Sequence, residues 1–159
     1  STGAVFASFA DKPELFDAIL SDDFAALLDP MQDAASMAPT AREALVAMFG
    51  AAYRAHGAQL PLIQAALAAS WTRTPEAEKL RRESMRPIRS LVTEVLERAV
   101  ERGELTARFD LRLVSDVIWD LYLAGYRPAA FEGLAVDAQT ARLAERIDLV
   151  LAGLKVQAA

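Results

Sequence analysis

Residues 1–20, STGAVFASFADKPELFDAIL, decide the fold of this chain. We interpret them as the end of one short helix, a tight break, and the start of a longer helix. Asp11 stands where an N-cap side chain would accept a backbone hydrogen bond, and Pro13 is tolerated in a first helical turn. Glu14, three residues after Asp11, is able to bond back to the cap. A long helix is therefore predicted to begin near Lys12.

The composition favours a single all-α domain. The chain has 159 residues, of which 53% are hydrophobic, and it contains seven Gly, seven Pro and no Cys. Ala and Leu are abundant and β-branched residues are few, which favours helices over sheets. No apolar run reaches the roughly 18 residues of a membrane span, and the absence of Cys fits a reducing compartment. We expect a cytoplasmic protein that does not bind membranes, and its net charge of −5 counts against DNA binding by these residues alone.

Helical spacing of apolar residues predicts six long helices and no strands. Residues 29–39 are predicted to form a loop after the first helix. Thr40 and Glu43 form a capping box for the second, with Gly57 expected to end it in a left-handed conformation. Thr74 is expected to cap the fourth helix and Gly103 to close it, with a kink at Pro87, and Pro128 is predicted to end the fifth. The six helices are expected at about 12–28, 40–56, 60–71, 74–102, 110–127 and 137–154.

The fifth helix is apolar on most of its sides. Its apolar surface is therefore larger than packing against one core requires. The sixth helix also carries a broad apolar stripe. Two copies of this pair would form a four-helix bundle around a two-fold axis, so a homodimer is predicted; the alternative is a monomer whose last helices only cover the core. The residues predicted at the interface are Val114, Ile118, Leu121, Leu143, Ile147, Val150 and Leu151.

The sequence lacks the patterns that carry catalysis or metal binding. His56 is the only histidine, and the residue three positions before it is Tyr53, so a helical Glu-x-x-His iron motif is excluded. Asp116 and Asp120 are four residues apart and could act as paired carboxylates, or they could form a polar stripe that meets solvent, an N-terminal arginine or a partner subunit. No glycine-rich phosphate loop or nucleophile motif is present. We expect no enzyme activity, no metal site and no cofactor.

Aromatic residues and methionines recur on the middle helices. Each is compatible with an ordinary core position, but together they suit a cavity for a hydrophobic or aromatic small molecule. His56, on the apolar stripe of the second helix, is either a neutral core residue or a polar anchor within such a cavity. The predicted ligand-binding residues are Phe49, Tyr53, His56, Trp71, Met85, Trp119 and Tyr122.

The opening stretch resembles the TetR family of transcriptional regulators. In that family the DNA-recognition helix ends in a pattern like T-G-x-[LV]-Y-x-[HY]-F, followed by a polar turn with Lys and a helix that opens E-x-L. The matching residues here are Thr2, Gly3, Val5, Phe6, Ser8, Phe9, Lys12, Glu14 and Leu15. The resemblance implies a TetR-like helical bundle that dimerises through its last two helices and contains an effector pocket.

The resemblance also implies DNA contacts by Thr2, Gly3, Phe6 and Lys12, although Phe6 lacks the tyrosine hydroxyl that meets phosphate in the family. Residues 1–10 are then the remnant of a helix-turn-helix whose first helices are expected to be missing, and residues 11–159 are the ligand-binding and dimerisation domain. The implied function is a ligand-responsive regulator, expected to be a repressor that releases operator DNA when its effector binds, with an activator as the alternative direction. The alternative is a helical small-molecule-binding or protein-interaction module without a DNA role.

Overall fold

The computed structural model describes residues 12–155, with side chains described from residue 24 onward. These residues form seven α-helices and two 3₁₀ turns, and the only β pairing among them is an isolated antiparallel bridge between Leu105 and Lys155. The 3₁₀ turns are Gly57–Gln59 and Ser70–Thr72. The helices are α1 (Lys12–Ser36), α2 (Ala41–His56), α3 (Leu60–Ala69), α4 (Pro75–Glu101), α5 (Leu111–Ala124), α6 (Tyr126–Glu132) and α7 (Val136–Ala152).

Helix α1 begins at Lys12 as predicted, but the predicted loop at 29–39 is wrong. The helix continues through Pro30 and ends at Ser36. An internal proline removes one backbone hydrogen bond and costs about 3 kcal/mol. Leu27, Met31 and Ala35 are all buried at four-residue spacing, and α1 packs along α2 over this length. We attribute the unbroken helix to this packing, which offsets the cost of Pro30.

Helix α2 is the central element and contacts α1, α4 and α7. The predicted N-cap at Thr40 is confirmed, because its hydroxyl accepts a hydrogen bond from the Glu43 backbone N–H at 3.2 Å, and the Glu43 carboxylate accepts from the same hydroxyl at 2.7 Å. The prediction for Gly57 is wrong, since its φ of −57° is right-handed. The chain passes through a right-handed 3₁₀ turn straight into α3, so no left-handed reversal is required there.

Helix α4 is capped by Thr74 at one end and followed by Gly103, with φ of +72°, at the other, as predicted. It runs through Pro87 as one helix. The prediction that Pro128 ends the fifth helix is wrong, because α5 stops at Ala124 and Pro128 lies in the first turn of α6. A proline in a first turn removes an N–H that has no helical partner, so it starts a helix as readily as it ends one.

One continuous core joins all seven helices. The largest side chains that are fully buried include Phe49, Tyr53 and Tyr122, and the ring of Tyr122 contacts both of the others between α2 and α5. None of the helices in the described part of the chain is both long and apolar enough to cross a membrane.

Candidate functional site

A cleft of about 550 Å³ opens between α1, α3, α4, α5 and α6. This volume lies within the range of about 300–1,000 Å³ that is common for small-molecule sites. The floor of the cleft is mostly apolar, half of its residues are aromatic, and every floor residue is less than a tenth exposed. The floor residues are Phe24, Ile63, Ala66, Met85, Trp119 and Tyr126.

Three of the seven predicted ligand-binding residues line this cleft. Met85 and Trp119 belong to the floor, whereas Trp71 lies at the rim with 91% of its surface exposed. Trp71 is exposed because it falls in the 3₁₀ turn after α3 rather than on the apolar face of that helix. The cleft therefore has one buried tryptophan in its floor and one exposed tryptophan at its mouth, and the chain contains no others.

The other four predicted residues do not line the cleft. They form a buried layer behind its floor, which consists of Phe49, Tyr53, His56 and Tyr122. His56 Nδ1 lies 2.8 Å from the Tyr126 hydroxyl, which lies 2.6 Å from the Tyr122 hydroxyl. The Tyr53 hydroxyl donates to the Tyr122 carbonyl at 2.7 Å. His56 is thus a buried core residue that holds the floor residue Tyr126 from behind, as the first interpretation of this histidine has it, and it does not line the cleft.

Burial raises the pKa of Tyr53, Tyr122 and Tyr126 above the ordinary tyrosine value. Desolvation is the main cause in each case, because a phenolate in this layer would lose its hydration. All three hydroxyls therefore remain protonated at neutral pH and are available as hydrogen-bond donors. They fix the ring positions behind the cleft and do not supply a base.

The rim of the cleft is charged, and sequence reasoning did not identify it. Glu78 accepts from Arg82 at 2.7 Å and lies 3.6 Å from Arg73, and Arg89 pairs with Asp116. The available signal was the helical spacing of charged residues around Met85 on α4. The charged rim residues are Arg73, Glu78, Arg81, Arg82, Arg89, Asp116 and Asp120.

Two of these arginines stack on aromatic rings of the floor. The Arg81 guanidinium lies 5.1 Å from the centre of the Phe24 ring, and that of Arg89 lies 5.9 Å from the Trp119 ring. Such cation–π contacts hold a planar guanidinium at a defined boundary between floor and rim. Asp116 pairs with Arg89 of α4 across the rim, so it belongs to the predicted polar stripe, but its partner is not an N-terminal arginine.

A larger cleft of about 1,070 Å³ lies between α4 and the start of α5, on the outer side of the rim. Most of the described residues that line it are charged, with both signs present, as in Glu83, Arg86, Glu94 and Arg112, and none of them is aromatic. The described lining therefore offers no aromatic ring against which an apolar ligand could pack. The smaller cleft, with its buried aromatic floor, is therefore the candidate binding site.

Within residues 24–155 no group of three or more His, Cys, Asp or Glu side chains is placed to hold a metal ion. The predicted DNA-contacting residues Thr2, Gly3 and Phe6 lie outside the described residues. Lys12 is the first residue of α1, and its side chain is also outside the described part.

Five of the seven residues predicted at a dimer interface are buried in the chain's own core: Val114, Ile118, Leu143, Ile147 and Leu151. They are therefore not exposed to a partner in this structure, and the interface stays a prediction. Leu121 and Val150 are half-buried. Exposed apolar side chains on the same two helices are Leu113 and Val117 on α5 and Leu149 on α7. The periodic apolar pattern did not distinguish the inward face from the outward one.

Residues 40–147 match the family described as tetracyclin repressor-like, C-terminal domain. This match spans most of the chain, so the protein belongs to the TetR family of transcriptional regulators, which are not enzymes. The family that residues 1–20 indicated is thereby confirmed, although the match itself does not include those residues. No curated protein matches the sequence at a significant level.

Solved structures of TetR-family proteins share the fold. A regulator from Rhodococcus RHA1 superposes with a TM-score of 0.73 at 18% identity, covering 99% of this chain and 82% of that one. The ketosteroid regulator KstR2 of Mycobacterium tuberculosis gives 0.65 at 23% identity, with 99% and 80% covered. PfmR of Thermus thermophilus gives 0.63 at 18%, with 98% and 84% covered. At these identities the likeness establishes the TetR-like fold alone.

Proposed function

We propose that the protein is a ligand-responsive transcriptional regulator, in the repressor mode, that releases operator DNA when a small hydrophobic or aromatic effector enters the 550 Å³ cleft. The observation that carries this proposal is the position of Phe24. This α1 residue forms part of the cleft floor and packs edge-on against His56 at 4.9 Å between ring centres. An effector in the cleft therefore touches the helix that leads to residues 1–10.

In this proposal residues 1–10 end a helix-turn-helix unit that contacts DNA, and residues 11–159 bind the effector and form the dimer. Leu113, Val117 and Leu121 recur at four-residue spacing on α5, and Leu149 and Val150 lie on α7, which contacts α5. A second copy that covers this apolar strip would place two DNA-binding units around a two-fold axis. A shift of α1 would then change their spacing, which must be about 34 Å to fit successive major grooves. The regulator would act in the cytoplasm, where it meets operator DNA.

The effector half of the proposal is tested with N-phenyl-1-naphthylamine, a neutral aromatic dye that fluoresces in apolar sites. We expect saturable binding with energy transfer from tryptophan to the dye, mainly from Trp119. The transfer should therefore persist in Trp71→Phe and be weakened in Trp119→Phe. A bound dye also raises the melting temperature, because it stabilises the folded chain by RT ln(1 + [L]/Kd). Dye binding without energy transfer from Trp119 would contradict a ligand site in this cleft.

The DNA half is tested with the full gene product and a selection from random-sequence duplex DNA. A dimeric regulator is expected to enrich a palindrome, with binding that weakens as salt increases. Residues 1–159 alone are expected to bind the selected duplex poorly because of their net charge of −5. A full gene product that enriches no sequence would favour the alternative, a ligand-binding module without a DNA role.

A further inference from the structure

The rim of the cleft distinguishes between kinds of effector that the apolar floor alone would accept. Four arginines and three carboxylates line the described part of the rim, which leaves one positive charge there although the whole chain carries −5. None of the described residues that line this cleft is a lysine. Arginine is the side chain whose planar fork matches a carboxylate or sulfonate with two parallel hydrogen bonds.

The arginines are placed where the polar end of a ligand would lie. Arg81 and Arg89 stack on the floor rings of Phe24 and Trp119, so their guanidinium groups lie directly over the apolar surface. Arg82 and Arg73 flank the same opening, and Glu78 lies within 4 Å of both guanidinium groups. A ligand whose apolar body fills the floor would therefore meet guanidinium groups at its other end.

From this arrangement we infer that the effector is a monoanionic amphiphile, with an aromatic or aliphatic body and one carboxylate-like group that the rim arginines bind. The inference rests on the proposed function, because it specifies the effector of the same cleft. Asp120 opposes such a ligand, since its carboxylate lines the cleft at the rim. Its removal is expected to strengthen anion binding.

Two dyes with one skeleton test the inference. 1-Anilinonaphthalene-8-sulfonate carries an anionic group on the same phenylnaphthylamine body as neutral N-phenyl-1-naphthylamine. Each is titrated into the protein, and binding in the cleft is selected by energy transfer from Trp119 in the Trp71→Phe background. The variants are Arg89→Gln, the mostly exposed Arg82→Gln, and Asp120→Asn, with Arg98→Gln as a control on an exposed α4 residue outside the cleft.

We expect Arg89→Gln and Arg82→Gln to raise the Kd of the anionic dye about three- to tenfold, a range typical of partly exposed charge contacts. Asp120→Asn should lower that Kd about two- to fivefold. The neutral dye should change less than twofold in all variants, and Arg98→Gln should leave both dyes unchanged. The effects on the anionic dye should shrink in 0.5 M salt, because screening weakens them.

The outcomes separate this inference from the proposed function. If the neutral dye binds beside Trp119 but the charge variants shift both dyes equally, or neither, the cleft binds ligands and the anion inference is wrong. If neither dye receives energy from Trp119, both proposals are wrong. Since Arg82 is 74% exposed at its side chain, its substitution leaves the fold intact and the test stands even if Arg89→Gln unfolds the chain.

Discussion

Tyr126 is the residue in which the cleft and the buried layer behind it meet. Its ring lines the cleft floor, and its hydroxyl bonds to both His56 and Tyr122. A ring held from behind in this way has little freedom to turn, so the floor keeps its shape without a ligand. Preorganisation of this kind lowers the free-energy cost of binding.

We expect Tyr126→Phe to lower the free energy of unfolding by about 1–3 kcal/mol, because it removes one hydrogen bond from each of the buried His56 and Tyr122 side chains. Tyr53→Phe is the matched control. Tyr53→Phe removes one hydrogen bond from the Tyr122 carbonyl, which still accepts from the Gly125 N–H at 3.0 Å. The loss of unfolding free energy should therefore be smaller in this variant. Urea denaturation measures both, and an equal loss in the two variants would contradict this account of the network.

Glycine is required at position 125 because the Tyr53 side chain approaches its Cα closely, and not because of its backbone angles. Its φ of −65° suits any residue, but a Cβ there would lie only 2.9 Å from Tyr53 Cζ and closer still to the hydroxyl oxygen. Tyr53 cannot retreat easily, since it is fully buried and bonded to Tyr122. Side chains are therefore excluded at the junction of α5 and α6.

We expect Gly125→Ala to destabilise the chain by about 1–3 kcal/mol, the usual cost of overpacking a core. Gly57→Ala is the control, because its Cβ would meet Val136 at an ordinary 3.5 Å in a right-handed conformation, and a neutral or slightly positive effect is expected. Adding Tyr53→Phe to Gly125→Ala removes the nearest atom and should recover part of the loss. Thermal melts of these variants test this, and strict additivity would contradict the proposed clash.

At the scale of elements, ion pairs and capping bonds tie distant helices together. Arg42 at the start of α2 binds Asp148 on α7 through two hydrogen bonds of 2.6 and 2.9 Å. The backbone N–H of Ala41 donates to the Glu104 carboxylate at 2.9 Å, so the segment that follows α4 also satisfies the first turn of α2. Both contacts join residues more than 60 positions apart, and α2 is thereby held at its N-terminus from two sides.

The Arg42–Asp148 pair predicts a pH dependence of stability. The hydrogen bond from Arg42 lowers the pKa of Asp148 below its ordinary value. A lowered folded-state pKa means that the stabilisation is fully present above the ordinary carboxyl pKa and is lost as the pH falls through the lowered value. We therefore expect Asp148→Asn to be less stable than the native chain at pH 7 and equally stable in acid.

Urea denaturation between pH 7 and pH 2 measures this difference. The exposed carboxylate Glu145 on the same helix provides the control variant, Glu145→Gln, which removes an equal charge without touching Arg42. A stability difference between the native chain and Asp148→Asn that persists unchanged into acid would show that the ion pair is not its cause.

At the scale of the whole molecule, the proposed dimer depends on the outward strip of α5. Leu113→Glu places a charge in that strip, where a partner would bury it, and should shift the protein towards monomers. Leu80→Glu is a matched control on α4, at a leucine that is 67% exposed. Analytical ultracentrifugation at micromolar concentration compares the two. A monomeric native chain, or equal association of both variants, would contradict an interface at Leu113, Val117 and Leu121.

Local signals in the sequence were sufficient to predict the all-α class, the N-caps at Thr40 and Thr74 and the end of α4 at Gly103. They were also sufficient to indicate the family, through the residues near Lys12. Each of these depends on residues within one or two helical turns, and such neighbours are visible in the sequence. Two of the predicted ligand-binding residues, Met85 and Trp119, line the cleft, since large apolar side chains on adjacent helices meet wherever those helices pack.

Only the tertiary structure decided which apolar residues face inward, because a periodic pattern specifies a stripe but not what covers it. Ile118, Leu143 and Ile147 are core residues, while Leu113 and Val117 remain outside.

Long-range contacts also explain three further features: the course of α1 through Pro30, the break at Gly125 and the arginine rim around the cleft. Each depends on contacts between residues far apart in the chain: α1 against α2, Gly125 against Tyr53, and Arg81 against Phe24. The free energy of such contacts exceeds local preferences, and it is set only when the helices are packed together.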